Sequence, residues 1–224
     1  MSVKHSSQFL PTLFITALRG ESKALMKRLR FEKIQHSTQI PLFKLTQNPV
    51  YLMEVGMGPS VSKESIIQVI REVQSRLLIK LGVCGALNPK YSLFDFFLVE
   101  KVCSQQGQMI DLLSTLPLEL KSITEEYSLT SLLTAEKPVT DKNLRNELYQ
   151  STGCSLVDLE AFHVAEIAEE LKLPLIVFKL VSDRADELAS VQVKRNLQRI
   201  QEKLGKEIIG FIKKYLGWVR DFPE

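Results

Sequence analysis

Glu21, Glu160 and Asp183 share one feature of placement, because each follows shortly after an apolar run that is typical of a buried strand. Taken singly, Glu21 and Glu160 are explained as first-turn acids that complement a helix macrodipole, and Asp183 as a cap of a helix or turn. In a parallel sheet, however, the carboxyl ends of the strands meet at one edge, where ligands bind. The common placement therefore favours a single cleft in which carboxyl groups donate and accept protons.

Two glycine-containing turns also follow apolar runs. Residues 55–58 (VGMG) precede a helical pattern, but Val61 occupies the position of the third glycine of a dinucleotide-binding fingerprint, so they are not one. Their backbone N–H groups either approach a sugar or phosphate or only close a tight strand-to-helix turn, and the sequence leaves both open. Residues 82–85 (GVCG) predict a second turn that requires close backbone approach.

The elements that must position these groups alternate along the chain. Apolar runs without clean alternation predict strands covered on both faces, and apolar residues at helical spacing predict helices. The predicted strands are residues 13–18, 42–45, 50–55, 77–83, 96–102, 129–134, 156–157 and 174–181; the predicted helices are 21–29, 60–74, 141–150, 159–171 and a long helix over the last 35 residues. This interleaving is typical of an α/β protein with a central, largely parallel sheet. Residues 104–126 show weak periodicity and receive no assignment.

Composition sets the class of protein. A length of 224 residues favours a single domain over residues 1–224, and 45% hydrophobic with 25% charged residues is the balance of a globular protein. A disordered tail protein and a disulfide-stapled mini-domain are excluded. No run approaches the roughly 20 apolar residues of a membrane span, so no membrane partner is expected. The basic residues of the C-terminal helix are interrupted by acids, which predicts a solvated face rather than a nucleic-acid surface.

The cysteines and the N-terminus indicate where the protein works. Three cysteines and three histidines, all far apart, offer no ligand set for a structural zinc. Reduced thiols in a cytoplasmic protein are the simpler interpretation. The apolar residues 9–18 contain Pro11 and are followed by Arg19 and Gly20 rather than a small-residue cleavage site, so they predict a first buried strand and not a signal peptide.

Five segments together resemble the purine nucleoside phosphorylase/nucleosidase superfamily, most closely its methylthioadenosine/S-adenosylhomocysteine nucleosidases and futalosine hydrolases. They are residues 15–21 (ITALRGE), 55–58, 82–89 (GVCGALNP), 157–161 (VDLEA) and 181–186 (VSDRAD). The resemblance implies a three-layer α/β/α sandwich with a central mixed, largely parallel sheet. It also implies hydrolysis of the N-glycosidic bond of a purine nucleoside, no cofactor or metal, and a homodimer.

The resemblance further implies roles for single residues. Glu21 would activate the attacking water, while Asp183, supported by Ser182, would donate a proton towards N7 of the purine. Glu160 would bind the ribose hydroxyls, and Leu159 would pack against the sugar. The other residues expected at the substrate are Leu18, Gly85 and Val139.

Departures from the family pattern leave the substrate open. Lys179 stands where the nucleosidases usually carry arginine, Phe94 replaces a common glycine, and residues 104–126 lack a recognisable family motif. The resemblance implies that this region would help to form the pocket for the 5′ substituent. Methylthioadenosine, S-adenosylhomocysteine and an (amino)futalosine-like precursor of menaquinone therefore remain candidates. A phosphorylase of the same fold and a non-catalytic nucleoside-binding protein remain the alternatives.

Overall fold

The computed structural model of the protein describes residues 10–46, 48–57 and 61–216. The strands are β1 (Thr12–Thr16), β2 (Phe31–Lys33), β3 (Leu42–Leu45), β4 (Val50–Glu54), β5 (Leu77–Ala86), β6 (Phe96–Ser104), β7 (Met109–Asp111), β8 (Leu129–Thr134), β9 (Leu156–Asp158) and β10 (Leu175–Asp183). The helices are α1 (Arg19–Met26), α2 (Lys63–Glu72), α3 (Ile123–Glu126), α4 (Lys142–Thr152), α5 (Ala161–Glu170) and α6 (Ala189–Phe211).

The strands form one mixed sheet, part of which closes on itself. β5 pairs with β10, and the series β10–β6–β8–β9 returns to β5, which gives a five-stranded ring. From β5 the sheet continues outward through β1, β4, β3 and β2. The pairs among β4, β1, β5 and β10 are parallel, as are β6–β8 and β8–β9. The carboxyl ends of β1, β5 and β10 therefore lie at one edge, where the sequence places a site.

Helices cover both faces of the sheet. On one face, α2 and α5 bury apolar side chains such as Ile70 and Phe162. On the other, α1 and α6 pack Leu25 and Ile208 in the same core as Phe178 of β10. The two cores on opposite sides of a mixed sheet confirm the three-layer α/β/α sandwich.

Most predicted elements are present with bounds close to those expected. β3 and β8 have the predicted limits, and β1 is completely buried, as a first core strand should be. Asp141 caps α4, since its carboxylate accepts a hydrogen bond of 2.7 Å from the Leu144 N–H. Helix α2 is shorter than predicted and is capped by Ser62. Its predicted start at residue 60 lies outside the described residues.

The middle region owes its weak periodicity to short pieces. It contains β7, which pairs with β6, two 3₁₀ turns (Leu113–Thr115 and Leu118–Leu120) and α3. Elements of three or four residues are too short to show a helical or strand period. Buried Leu120 and Ile123 nevertheless anchor the region in the core.

Phe94 adopts a backbone conformation that suits the glycine which the family resemblance implies at this position. Its φ is 73°, in the left-handed region that side chains disfavour. The Phe94 N–H donates to the Val181 carbonyl at 2.8 Å, and the guanidinium carbon of Arg199 lies 4.0 Å from the centre of the Phe94 ring. Cation–π and packing contacts thus accompany the strained turn.

The long C-terminal helix is amphipathic, as its sequence predicts. Ile200, Leu204 and Ile208 of α6 are buried, and a π-helical turn over Ile212–Leu216 follows. The predicted helix beyond Leu216 lies outside the described residues. No helix within the described part of the chain is both long enough and apolar enough to cross a membrane.

Candidate active site

A cavity of about 410 Å³ opens at the carboxyl ends of β5, β9 and β10, beside the start of α1. All eight residues that the sequence predicts at the substrate line it: Leu18, Glu21, Gly85, Val139, Leu159, Glu160, Ser182 and Asp183. The fold thus brings together residues that are widely separated along the chain. Their roles in binding and catalysis stay predictions.

Glu21 lies in the first turn of α1 with its carboxylate buried. One oxygen, Oε2, accepts hydrogen bonds from the backbone N–H groups of Ala17 (2.9 Å) and Leu18 (3.0 Å), and the other, Oε1, accepts from the Val83 N–H (2.9 Å). The bond from the Leu18 N–H caps the helix, so Glu21 is a first-turn acid that stabilises α1, as one interpretation of the sequence predicts. This structural role is compatible with a role in the reaction. A carboxylate has about four lone-pair sites, so Glu21 can still accept a hydrogen bond from a water.

Two glycines of β5 allow carboxylates to approach its backbone. A Cβ atom on Gly82 would lie 2.7 Å from Glu21 Oε1 and 3.3 Å from Lys179 Nζ. A Cβ atom on Gly85 would lie 3.0 Å from Asp183 Oδ1. The turn predicted at residues 82–85 is wrong, because pairing with β10 and β9 continues strand β5 to Ala86. The predicted close approach is present as an approach of acidic side chains, and a larger residue at either position would displace one.

Asp183 ends β10 in a mostly buried environment. Ser182 Oγ lies 2.8 Å from Asp183 Oδ2 and 3.1 Å from the Cys84 carbonyl oxygen, and the Ala185 N–H donates to Asp183 Oδ1 at 2.9 Å. Burial raises the pKa of Asp183 above its usual value, although the hydrogen bonds from Ser182 and Ala185 oppose the rise. Asp183 is therefore suited to hold a proton and to donate it to a bound base.

Asp158 secures the junction between β9 and α5. Its carboxylate accepts hydrogen bonds from Thr134 Oγ1 at 2.8 Å and from the backbone N–H groups of Glu160 (3.3 Å) and Ala161 (3.1 Å). Glu160 is the N-cap residue of α5, and its side chain is largely buried at the cavity. The helix predicted from residue 159 begins instead at Ala161, because residues 159–160 form the bend that Asp158 holds.

Two fully buried lysines lie beside these acids. Lys179 Nζ is 2.7 Å from Asp158 Oδ2, and Lys80 Nζ is 3.9 Å from Glu160 Oε2. Burial opposes the charge of Asp158, but the two lysines outweigh it and lower the pKa of that carboxyl. Burial likewise opposes the charge of Lys179, but the surrounding acids raise its pKa. Lys179 therefore keeps a cation where the family resemblance implies arginine.

The rest of the cavity wall is mainly apolar. Pro138, Val139 and Val157 line it, and Leu18 and Met57, which are 39% and 56% exposed, mark its mouth. Lys194 of α6 is the cationic residue among the described lining residues, and it is exposed to solvent.

Sequence reasoning did not assign Asp158, Lys80, Lys179 or Lys194 to the site. A signal existed for the first three, because each lysine interrupts an apolar strand and Asp158 belongs to the motif at residues 157–161. Lys194 looks like any other base on a solvated helix face. In the parts of the chain that the structure describes, no group of three or more His, Cys, Asp or Glu side chains is arranged to hold a metal ion.

Comparison with known proteins agrees with the motifs and the fold. Curated relatives include two 5′-methylthioadenosine/S-adenosylhomocysteine nucleosidases of Buchnera aphidicola. The one from the Acyrthosiphon pisum subspecies (strain APS) is 22% identical over 215 residues, which is 86% of this chain and 93% of the relative. The one from the Schizaphis graminum subspecies is 23% identical over 226 residues, with coverage of 89% and 95%. The relatives support the prediction of an N-glycosyl hydrolase.

Solved structures show the same fold. A futalosine hydrolase mutant of Helicobacter pylori strain 26695 superposes with a TM-score of 0.79 at 15% identity, covering 92% of this chain and 99% of that one. The S-adenosylhomocysteine nucleosidase of Streptococcus pyogenes in complex with 5-methylthiotubericidin gives a TM-score of 0.79 at 15% identity, with coverage of 93% and 98%. Residues 11–216 match the family described as the Phosphorylase superfamily. The chain belongs to the phosphorylase superfamily, as its five segments predict.

Proposed function

We propose that this protein is a purine nucleoside N-ribosyl hydrolase that releases an adenine-type base from a nucleoside modified at its 5′ position. One observation carries the proposal: Glu21, Glu160 and Asp183, from three distant segments, line a single cavity. The curated relatives, which span nearly the whole chain, support it through their names as nucleosidases.

Asp183 is proposed as the general acid. Cleavage of a glycosidic bond passes through an oxocarbenium-like transition state, and the departing base leaves more readily when it is protonated. The raised pKa of Asp183 favours the protonated form that this step requires. A hydroxyl such as Ser182 Oγ, 2.8 Å away, can fix the orientation of the acid.

Glu21 is proposed to bind and orient the attacking water. Its three backbone hydrogen bonds hold both oxygens in place, so the carboxylate is preorganised before the water arrives. Water attack and base protonation take place on opposite sides of the sugar. Separate acids on α1 and β10 supply the two groups that this geometry needs.

The sugar and base are proposed to lie between these acids. Glu160 would accept hydrogen bonds from the ribose hydroxyls, and Leu159 would pack against the sugar. The apolar wall with Pro138, Val139 and Val157 suits the face of a purine ring.

Hydrolysis is preferred to phosphorolysis because of the charge of the cavity. Glu21, Asp158, Glu160 and Asp183 all line it, and Lys194 is the cation among the described lining residues. Behind the lining, Lys179 and Lys80 are engaged with Asp158 and Glu160, so a phosphate dianion would meet the Glu21 carboxylate and no arginine among the described lining residues, which is unfavourable. A neutral water has no such penalty.

Lys194, which lines the cavity, is proposed to select the 5′ substituent of the nucleoside. In the proposed pose the base lies near Asp183 and the ribose near Glu160, and the 5′ group is directed towards the mouth marked by Leu18 and Met57. An exposed ammonium at that mouth favours a tail that carries a carboxylate, as in S-adenosylhomocysteine or an aminofutalosine-type precursor of menaquinone, over the neutral methylthio group. We also propose a homodimer, which sedimentation velocity tests.

The deciding experiment is incubation of the purified protein with methylthioadenosine, S-adenosylhomocysteine and aminofutalosine, with and without inorganic phosphate. Free adenine and the sugar product are separated by chromatography. We expect adenine and a free ribose derivative without phosphate. A sugar phosphate formed only with phosphate would establish the phosphorylase instead, and saturable binding without any product would establish a nucleoside-binding protein.

Asp183→Asn is the matching variant. It removes the proton donor at nearly constant size, so base release should fall about 10²–10⁴-fold while unfolding is unchanged. Asp111→Asn is the control, because Asp111 is exposed on β7 and lies outside the cavity lining. Normal turnover by Asp183→Asn would contradict the assignment of the acid.

A further inference from the structure

Lys80 is a buried charge that the proposed reaction does not use. It lies in the middle of β5, and its side chain is completely buried. Burial of a lysine ammonium is costly unless an opposite charge lies close by. A methionine of similar length would fill the same space without that cost, so packing alone does not account for a lysine.

The contacts of Lys80 lead to Glu160. Lys80 Nζ lies 3.9 Å from Glu160 Oε2, and it also donates a long hydrogen bond of 3.4 Å to the Leu81 carbonyl. On the adjacent strand, Lys179 Nζ is already engaged with Asp158 Oδ2 at 2.7 Å. Lys80 is therefore placed to supply the positive charge next to Glu160. Lys80 is not among the described lining residues, so it stands behind the Glu160 carboxylate rather than in the cavity.

Neighbouring charged groups influence whether Glu160 and Lys80 are ionised. Burial raises the pKa of Glu160, and Asp158 and Glu21 raise it further, while Lys80 and Lys179 oppose the rise. For Lys80, burial and Lys179 lower the pKa, while Glu21, Glu160 and Asp158 oppose the fall. Removal of the ammonium would thus take away the largest influence that keeps Glu160 charged.

We propose that Lys80 is a positioning residue, whose ammonium holds the Glu160 carboxylate ionised and directed towards the ribose hydroxyls. The proposal rests on the proposed function, since it gives the reason why Glu160 can recognise ribose at neutral pH. An ionised carboxylate accepts hydrogen bonds from two hydroxyls, whereas a protonated carboxyl presents one donor and a weaker acceptor.

The test is a comparison of Lys80→Met with wild type on paired ligands that differ only in the 2′-hydroxyl. Turnover is measured with methylthioadenosine and its 2′-deoxy analogue across pH. Binding is measured by calorimetry with the corresponding 7-deaza nucleosides, which lack the N7 that accepts the proton. Lys63→Met is the matched control, because Lys63 is half-exposed on α2, paired with Glu170 at 2.7 Å and outside the cavity. If Lys80→Met does not fold, Lys80→Gln replaces it.

We expect Lys80→Met to reduce the preference for the ribose ligand about 10-fold, the scale of one charge-assisted hydrogen bond, with little change for the deoxy ligand. The acid limb of kcat/KM should move to higher pH. Equal losses on both ligands, or an unmoved acid limb, would overturn the proposal. If the wild-type protein binds the ribose ligand more tightly than the 2′-deoxy ligand but releases no base, the proposed hydrolase function is refuted. The role of Lys80 can then still be tested by the binding measurements. No nucleoside binding at all would refute both.

Discussion

Gly82→Ala tests whether close approach to β5 positions Glu21. The new methyl group would lie 2.7 Å from Glu21 Oε1, closer than real side chains come, so one of the two must move. At Gly82 the backbone of β5 is held by pairing with Lys179 of β10, and the carboxylate is the more mobile group. Glu21 should therefore shift by several tenths of an ångström and lose its 2.9 Å hydrogen bond from the Val83 N–H.

The expected magnitude follows from that bond. A hydrogen bond to a charged group contributes about 1.5–3 kcal/mol, so the free energy of unfolding in urea should fall by this amount. The displacement also misplaces the attacking water, which lowers kcat by up to about 100-fold. Adenine release and urea denaturation measure the two effects on the same preparation. Gly210→Ala is the control, since its Cβ would meet nothing within 4 Å and helix propensity favours alanine by up to about 1 kcal/mol.

A double-mutant cycle with Glu21→Ala shows whether the clash is the cause. Without the carboxylate the methyl group has its main obstacle removed, so Gly82→Ala should cost much less stability in that background. An equal cost with and without Glu21, or full activity of Gly82→Ala alone, would refute the reasoning.

Four further predictions concern charged groups at the cavity. Asp158→Asn leaves Lys179 buried without its counter-charge. The free energy of unfolding, measured in urea, should fall by about 3–5 kcal/mol, and a fall of less than about 1 kcal/mol would contradict this prediction. In the wild type, because the folded pKa of Asp158 lies below its unfolded value, the same stabilisation is complete at neutral pH and disappears as pH falls through the folded pKa. Base release should decline as pH rises through the raised pKa of Asp183, because the acid must be protonated, and a profile of kcat/KM without a basic limb would exclude it. Lys194→Ala should lower the turnover of S-adenosylhomocysteine by up to about 5-fold and leave the turnover of methylthioadenosine unchanged. Arg195→Ala is the control, because Arg195 is not among the described lining residues of the cavity. Equal effects on both substrates would show that Lys194 does not recognise the 5′ substituent.

Local patterns account for most of the fold. β10 is a nearly continuous apolar run over its first seven residues, and α4 carries a clear N-cap at Asp141, so their sequences contain the information that fixes them. β2 has only three residues at the edge of the sheet and shows no such pattern. The closed ring depends on the pairing of β5 with β9 and β10, which are distant in sequence, and no local period reports it.

The candidate site also has a part that the sequence predicts and a part that it does not. The acids at strand ends and the family segments predict the residues that line the cavity. The pairing of Lys179 with Asp158 and of Lys80 with Glu160 could not be predicted, because it depends on which side chains face each other across strands and helices. A lysine within an apolar strand signals a buried partner, but it does not identify that partner.

The register between β5 and β10 makes the candidate site depend on the exact length of β5. Gly82 is opposite Lys179 and Gly85 is opposite Asp183, with an irregularity between Val181 and Asp183 that brings the second pair into line. A slip by one residue would turn every side chain of β5 to the other face and replace both gaps with bulk. Insertions or deletions within β5 should therefore displace two functional groups together, so this strand is a poor place to engineer a change of length.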